Sequence, residues 1–333
     1  MKRSVLLAVL AVALVAARWG TAGQQAREQS SSASPRQAEP GGVTKEQFEQ
    51  WMTKLSNWGR WGKDDERGAL NLITAEKRKQ AIALARTGTV VSLSRPIVGK
   101  SAKDPQGRPI VQMGRFTNVF YTEAAPGKDG EYLFERHEIE YHGGTLTHLD
   151  ALCHVAYNGK TYNGFAFKEI VTTAGGCSKL SIVGAKEGIV TRGLLLDIPE
   201  TSVRREDIEA WEKRTGLRVS SGDALLLRSR SQGAGTPPKR GGYHPSLMPF
   251  LKERDIAILG NDSAQEGGQI PGLSLPMHYF TLVGLGVHLL DNLALDEVAE
   301  TANKLKRWEF MLVVDPLRVT NGAGGAVNPL ALF

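Results

Sequence analysis

Histidine is sparse in this chain of 333 residues: there are seven, and four of them, His137, His142, His148 and His154, crowd into one short segment. The densest stretch reads Tyr141-His142-Gly143-Gly144-Thr145-Leu146-Thr147-His148-Leu149-Asp150-Ala151-Leu152-Cys153-His154. On an extended strand, residues i and i+2 point to one face, so His148 and Asp150 converge. If the chain then enters a helical turn, Asp150 and His154, at i and i+4, share a face as well. Either way two imidazoles and a carboxylate meet, a donor set that suits zinc, manganese or iron. Gly143 and Gly144 let the backbone turn tightly around an ion, and His142 offers a further imidazole. Any one of these histidines alone reads as a surface or hydrogen-bonded core residue; the cluster carries the metal reading. The expected cofactor is a divalent ion, Zn or Mn, one or two per chain.

The elements around this segment must hold it in place. Helical period appears in KEQFEQWMTKLSNW, and Thr74 reads as the N-cap of AEKRKQAIALAR, stopped by Gly88. Beyond Gly88 short apolar or β-branched runs recur between turn residues: TVVSLS, TNVFYT, KLSIVGA, RGLLLDI, DALLLRS, DIAILGN and FMLVVDPLRV. They read as strands, several of them buried on both faces. Helices interrupt them at VRREDIEAWEKRT, capped by Ser202 and closed by Gly216, and at HPSLMPFLKERD. The pattern predicts an α/β fold, a mixed β-sheet core with flanking helices, in one domain over 44–333. There is no repeat at solenoid periods.

The N-terminus reads as an address. Lys2 and Arg3 precede an apolar run from Val5 to Ala17, followed by small residues to Gly23. Residues 1–23 are therefore expected to be a secretory signal peptide, and the Ser/Gln/Pro/Gly-rich residues 24–43 a flexible linker. The apolar run is short for a bilayer, which needs about 20 residues, so no stable membrane insertion is expected after cleavage. The expected location is exported, periplasmic or secreted. Loss of Lys2, Arg3 and Arg18 takes the formal net charge from +6 to +3, so the basic balance gives no argument for nucleic acid as a partner. The two cysteines, Cys153 and Cys177, make no disulfide framework and read as two buried thiols.

Other candidates read more blandly. His288 lies in the apolar run GVHLL, as a core histidine would; His244, in GGYHPS, reads as an exposed turn; His137, among Glu135, Arg136, Glu138 and Glu140, reads as a solvated strand face. Trp58, Trp61 and Tyr157 could stack on an aromatic substrate, though aromatics more often fill cores. NGAGGAVNP has no strand-then-helix setting for a nucleotide loop, and neither Ser246 nor Ser274 has the G-x-S-x-G setting of a serine hydrolase. Cys153 beside His154 could be a nucleophile only if neighbours that point opposite ways on a strand shared a proton.

The histidine segment resembles the signature H-x-G-T-H-x-D-x-P-x-H of the cyclase family, which includes bacterial kynurenine formamidases and isatin hydrolases. His148, Asp150 and His154 fall on its second His, its Asp and its third His. The position of its first His holds Gly144, with His142 two residues earlier, and its Pro is replaced by Cys153 or Leu152. WGKDDERGALNLIT, Tyr162-Asn163-Gly164, RDIAILGND with Asp262, and PMHYFTLVGLGVHLLDNLAL resemble a longer branch of the same family. The resemblance covers roughly residues 58–333. It implies the swivelling β/β/α fold, metal ligands at His142, His148, Asp150, His154 and Asp291, and catalytic roles for His154 and His278. Asp291 stands where the family usually has Glu. The implied activity is a metal-dependent hydrolase that cleaves a C–N bond other than a peptide bond, arylformamide-like, or a cyclic amide or lactone, through activated water. The alternatives are a lactone hydrolase or a cyclase or dehydratase with the same site, or a non-catalytic metal-binding envelope protein. The implied partner is a small, aromatic substrate, and the implied assembly is a homo-oligomer.

Overall fold

The computed structural model describes residues 42–97, 116–122, 132–139, 141–142, 146–229 and 241–333, with the backbone alone for 116–122 and 132–138. The expected signal peptide, most of the expected linker, Gly143, Gly144 and the side chain of His137 lie outside the described residues.

Apolar runs flanked by turns make strands here because each can bury both faces. Fifteen strands are described: β1 (Val90–Ser92), β2 (Phe116–Thr122), β3 (Tyr132–Ile139), β4 (His148–Asp150), β5 (Val171–Thr172), β6 (Gly176–Cys177), β7 (Ile189–Asp197), β8 (Ser202–Val203), β9 (Ala224–Arg228), β10 (Gly242–Tyr243), β11 (Ile258–Asn261), β12 (His288–Asp291), β13 (Glu309–Val314), β14 (Gly324–Ala326) and β15 (Leu330–Leu332). Nine form one sheet in the order β1-β15-β13-β7-β9-β11-β12-β4-β14. Its centre, β7-β9-β11-β12, is parallel, and both flanks are antiparallel. The expected mixed sheet with flanking helices is the fold observed. Ala224 to Leu227 of β9 and every residue of β11 and β12 are buried.

The helices are α1 (Lys45–Lys54), α2 (Ala75–Ile82), α3 (Phe167–Ile170), α4 (Arg205–Thr215), α5 (Met248–Glu253), α6 (Pro276–His278) and α7 (Asp296–Leu305). Thr44 and Thr74 cap α1 and α2, accepting from the backbone N–H groups of Gln47 and Lys77. Helix α2 packs on β7 and β13.

Three local readings are corrected. KLSIVGA is not a strand: Ile182–Ala185 is a 3₁₀ turn whose Ile182 N–H bonds Gly322 O, and a short apolar run does not distinguish the two by periodicity. Ser202 does not cap α4; it pairs in β8 with β10, and the N-terminal fastening is Asp207 accepting from Arg204 N–H at 2.7 Å. Cys153 and Cys177 are a disulfide with Cα atoms 6.3 Å apart, not two thiols. Cys153 N–H bonds Leu180 O, and that long-range contact, invisible to local pattern, lays the two cysteine segments side by side.

Candidate metal centre

Strand β4 is three residues long and clamped on both edges. Against β12, Leu289 pairs Asp150 and Asp291 pairs His148; against β14, Gly324 pairs Asp150 and Ala326 pairs His148. Residues opposite each other in a ladder share a face, so His148, Asp150 and Asp291 are brought together by register. After β4 the chain makes a tight turn, with His154 N–H bonded to Ala151 O at 2.9 Å, in place of the expected helical turn. That turn still swings His154 back to Asp150. His142 arrives from the other side and stacks on His154, ring centroids 3.8 Å apart and planes within 10°. Gly324 is required at its position because a Cβ there would lie 2.5 Å from Leu149 O and 3.1 Å from His142 Nε2. Tyr141 anchors the same edge by donating to Gly324 O at 2.9 Å.

His278 comes from α6, which runs directly into a π-helical stretch, Tyr279–Leu285. Gly286 ends that stretch at φ +66°, where the Tyr162 ring leaves no room for a Cβ, and turns the chain into β12. So one helix-turn-strand unit delivers both His278 and Asp291.

The donor atoms face one another. Asp150 Oδ1 lies 3.3 Å from His142 Nε2 and 3.4 Å from His148 Nε2. His278 Nε2 lies 3.7 Å from Asp150 Oδ2 and 3.6 Å from Asp291 Oδ2. Two triads follow, His142–Asp150–His154 and His148–Asp150–Asp291, each with ligand atoms within 4.8 Å of one another and with Asp150 in both. Asp150 is fully buried, and among the described residues neither of its carboxylate oxygens has a hydrogen-bond donor.

The tautomers sharpen this. His148 Nδ1 sits 2.7 Å from Leu146 O, which can only accept, so the proton is on Nδ1 and the Nε2 lone pair faces Asp150. His278 Nδ1 sits 2.7 Å from Glu266 Oε1, which accepts its proton and leaves Nε2 as the ring atom that faces the centre. Asp291 Oδ1 accepts from Gln265 Nε2 at 2.6 Å, which leaves Oδ2 to the centre. Imidazole Nε2 atoms and carboxylate oxygens thus point at common space, an arrangement a divalent cation can satisfy by displacing the His278 Nε2 proton.

Burial pushes the Asp150 carboxyl up, but the His142 imidazole beside it, with His154, His148 and His278, outweighs this and holds it below the usual range. Burial pushes His154 down to about 4 against the opposing pull of Asp150, so this imidazole is uncharged at neutral pH. For His278, burial pulls down, but Asp291 and Glu266 prevail and raise it well above its ordinary value. His142 is the outlet: its side chain is 32% exposed, against 7% or less for His148, Asp150, His278 and Asp291.

The structure brings together all six residues singled out from sequence, His142, His148, Asp150, His154, His278 and Asp291. It adds Gln265 and Glu266, whose only sequence signal is an acid and an amide before paired glycines, downstream of Asp262. His244 is buried, not an exposed turn: the pairing of Gly242–Tyr243 with Ser202–Val203 draws it inside, where its Nδ1 meets Ser246 Oγ at 2.8 Å. His288 is a core residue, as expected, on the opposite face of β12 from Asp291. With Cys153 in a disulfide there is no thiol nucleophile next to His154. Trp58 and Tyr157 line an open groove with Met52 and Val283, and Tyr157 packs on Tyr279, the neighbour of His278.

Residues 91–265 match the family model Cyclase, described as "Putative cyclase". A solved structure described as a novel cyclase is 30% identical, with a TM-score of 0.73 over 85% of this chain and 99% of that one. Isatin hydrolase A from Labrenzia aggregata bound to benzyl benzoate is 22% identical, with a TM-score of 0.48 over 76% of this chain and 97% of that one. The "predicted metal-dependent hydrolase" from Bacillus stearothermophilus is 18% identical, with a TM-score of 0.44 over 73% and 97%. A comparison with the curated proteins finds no match. The extent of the family match and the likeness to the novel cyclase place the chain plainly: it belongs to the cyclase family.

Proposed function

We propose that this protein is a metal-dependent hydrolase that cleaves the C–N bond of a small amide, open-chain and arylformamide-like or cyclic, with a lactone as the nearest alternative substrate. The observation that carries the reading is Asp150: a buried carboxylate with no hydrogen-bond donor among the described residues, ringed by four imidazoles and a second carboxylate. His142, His148, Asp150 and Asp291 would hold Zn or Mn, with His278 Nε2 facing the same space. A divalent cation in such a site supplies Lewis acidity, polarising a carbonyl and making water nucleophilic near neutral pH. His154, kept uncharged by burial, accepts a proton from the attacking water as its oxygen adds to the carbonyl carbon. The same imidazole returns that proton to the nitrogen as the C–N bond breaks, releasing an acid and an amine. The disulfide between Cys153 and Cys177 supports an exported protein, since such bonds persist in oxidising compartments.

The test is elemental analysis of purified protein together with turnover of aryl formamides, isatin and lactones, in the parent and in His154→Ala. The expected result is bound divalent metal, hydrolysis of at least one amide, and in His154→Ala a loss of about 10²–10⁴-fold in kcat with one metal retained and KM little changed. A metal-free parent, or full activity in His154→Ala, rejects the proposal.

A further inference from the structure

Gln265 and Glu266 sit outside both donor triads, yet each grips a member of the site. Their backbone is fixed first. Tyr243 N–H bonds Gln265 O at 2.9 Å, Gly267 N–H bonds Tyr243 O at 3.0 Å, and Glu266 forms a parallel bridge with Tyr243. At Gly267 a Cβ would lie 2.0 Å from Gly242 O, so the two segments touch backbone to backbone. From this rigid rail Gln265 donates to Asp291 Oδ1 at 2.6 Å and to Leu290 O at 3.2 Å. Glu266 Oε1 takes two hydrogens from one residue: the His278 backbone N–H at 3.2 Å and its ring Nδ1 at 2.7 Å. Two bonds to one oxygen fix both where α6 begins to turn and how the His278 ring is rotated. The Glu266 side chain is only 10% exposed, and its Oε2 is buried without a hydrogen-bond partner among the described residues.

We propose that Glu266 is a positioning residue: by accepting the Nδ1 proton of His278 it commits Nε2, once its proton is displaced, to the cation, and Gln265 in the same way turns Asp291 Oδ2 inward. The proposal rests on the reading that the centre binds a divalent ion, but not on which bond, if any, is cleaved. A carboxylate behind a ligating imidazole fixes its tautomer and makes it a stronger donor, and loss of such a partner typically weakens metal binding about 10–100-fold. A purely structural Glu266, serving only to cap α6, would leave metal affinity alone.

The experiment measures Zn²⁺ affinity, by competition with a chromophoric chelator, and the metal-free melting temperature. The proteins are the parent, Glu266→Gln, Glu266→Ala, His278→Ala and the double variant His278→Ala/Glu266→Gln. Glu266→Gln keeps an acceptor oxygen and the shape, so it is the variant that guards against misfolding. The expected result is affinity weakened about 10-fold in Glu266→Gln and up to about 100-fold in Glu266→Ala. In the His278→Ala background, Glu266→Gln is expected to add nothing, because there is no imidazole left to orient. Unchanged affinity in Glu266→Ala with a lowered melting temperature overturns the proposal in favour of a capping role, as does an equal loss with and without His278. Zn²⁺ binding is read whether or not any amide is turned over, so failure here and failure of the hydrolase reading are separate results. A parent that binds no Zn²⁺ overturns this proposal, and the hydrolase reading falls with it only if the parent also binds no Mn²⁺.

Discussion

Two aspartates, Asp150 and Asp223, are equally buried and differ in everything around them. Asp223 is answered from all sides: Lys77 Nζ pairs with it, Arg192 donates to it from Nε at 2.9 Å and from an Nη at 2.6 Å, and Ser220 donates from its backbone N–H at 2.8 Å and its hydroxyl at 3.1 Å. Asp150 is faced by imidazole nitrogens at 3.3 to 3.7 Å and receives no hydrogen bond among the described residues. A buried charge left without partners is costly, so it persists only where something else supplies the compensation. The first aspartate is cemented by hydrogen bonds from the chain itself; the second has only imidazoles around it, which is why we propose it as a metal ligand. What separates the structural carboxylate from the proposed ligand is thus not burial but which groups donate to it.

Substitution at both sites gives the sharpest contrast. Asp150→Asn is expected to abolish metal binding and to lower any hydrolytic activity by at least about 10³-fold, the equivalent of several kcal/mol. The metal-free form is expected to lose less stability than the Asp223 variant, because only the pull of the neighbouring imidazoles on the carboxylate goes and no hydrogen bond is broken. Asp223→Asn is expected to do the reverse, with metal content intact and stability to urea lower by about 3–5 kcal/mol, since Lys77 and Arg192 are left buried beside a neutral group. Equal destabilisation of the two metal-free variants would erase the distinction.

A smaller effect tests the loop that carries His154. The Cys153–Cys177 bridge closes a separation of 24 residues. Its removal, by reduction or as Cys153→Ser/Cys177→Ser, is expected to cost roughly 3 kcal/mol, chiefly by freeing the unfolded chain. Metal titration of the reduced protein shows whether His154, next to Cys153, keeps its place. An unaltered urea midpoint after reduction would show that the bridge constrains nothing.

The smallest effect concerns a third group without partners. His288 is fully buried on the face of β12 away from Asp291, and neither of its ring nitrogens has a hydrogen-bond partner among the described residues. Burial pushes it down to about 4 from its ordinary 6.5. Between those values the unfolded chain binds a proton that the folded chain refuses, so stability falls as the pH drops from 6.5 towards 4 and is unaffected above. The contribution is on the order of 1–3 kcal/mol at the acid end. His288→Leu is expected to remove its own share of that pH dependence in the metal-free protein, leaving the share of His154, which burial also pushes down to about 4, as measured by thermal melts across the range.

Sequence made part of this visible. The alternation His148-Leu149-Asp150 is local, so strand geometry alone placed both side chains on one face. The apolar runs that became β7, β9 and β11 were legible for the same reason: burial on both faces leaves a continuous signature. Asp291 and His278 could be found only through resemblance, because the register of β12 on β4 and the turn at Gly286 leave no local trace. Gln265 and Glu266 were missed, since a hydrogen bond across twelve or more residues has no spacing rule. The disulfide was misread for a like reason: two cysteines far apart in sequence carry no hint of the Leu180 contact that aligns them.

The clamping of β4 has a consequence for how the molecule comes into being. His142 to His154 are near neighbours along the chain, but the strands that frame them, β12 and β14, are supplied well over a hundred residues later. Contacts of such long sequence separation form slowly and late, because loop-closure entropy opposes them until much of the sheet is in place. The six side chains of the proposed centre are therefore complete only once the C-terminal strands have docked. If the proposed centre takes an ion, its capture would be a closing event, the last stitch after the sheet is sewn.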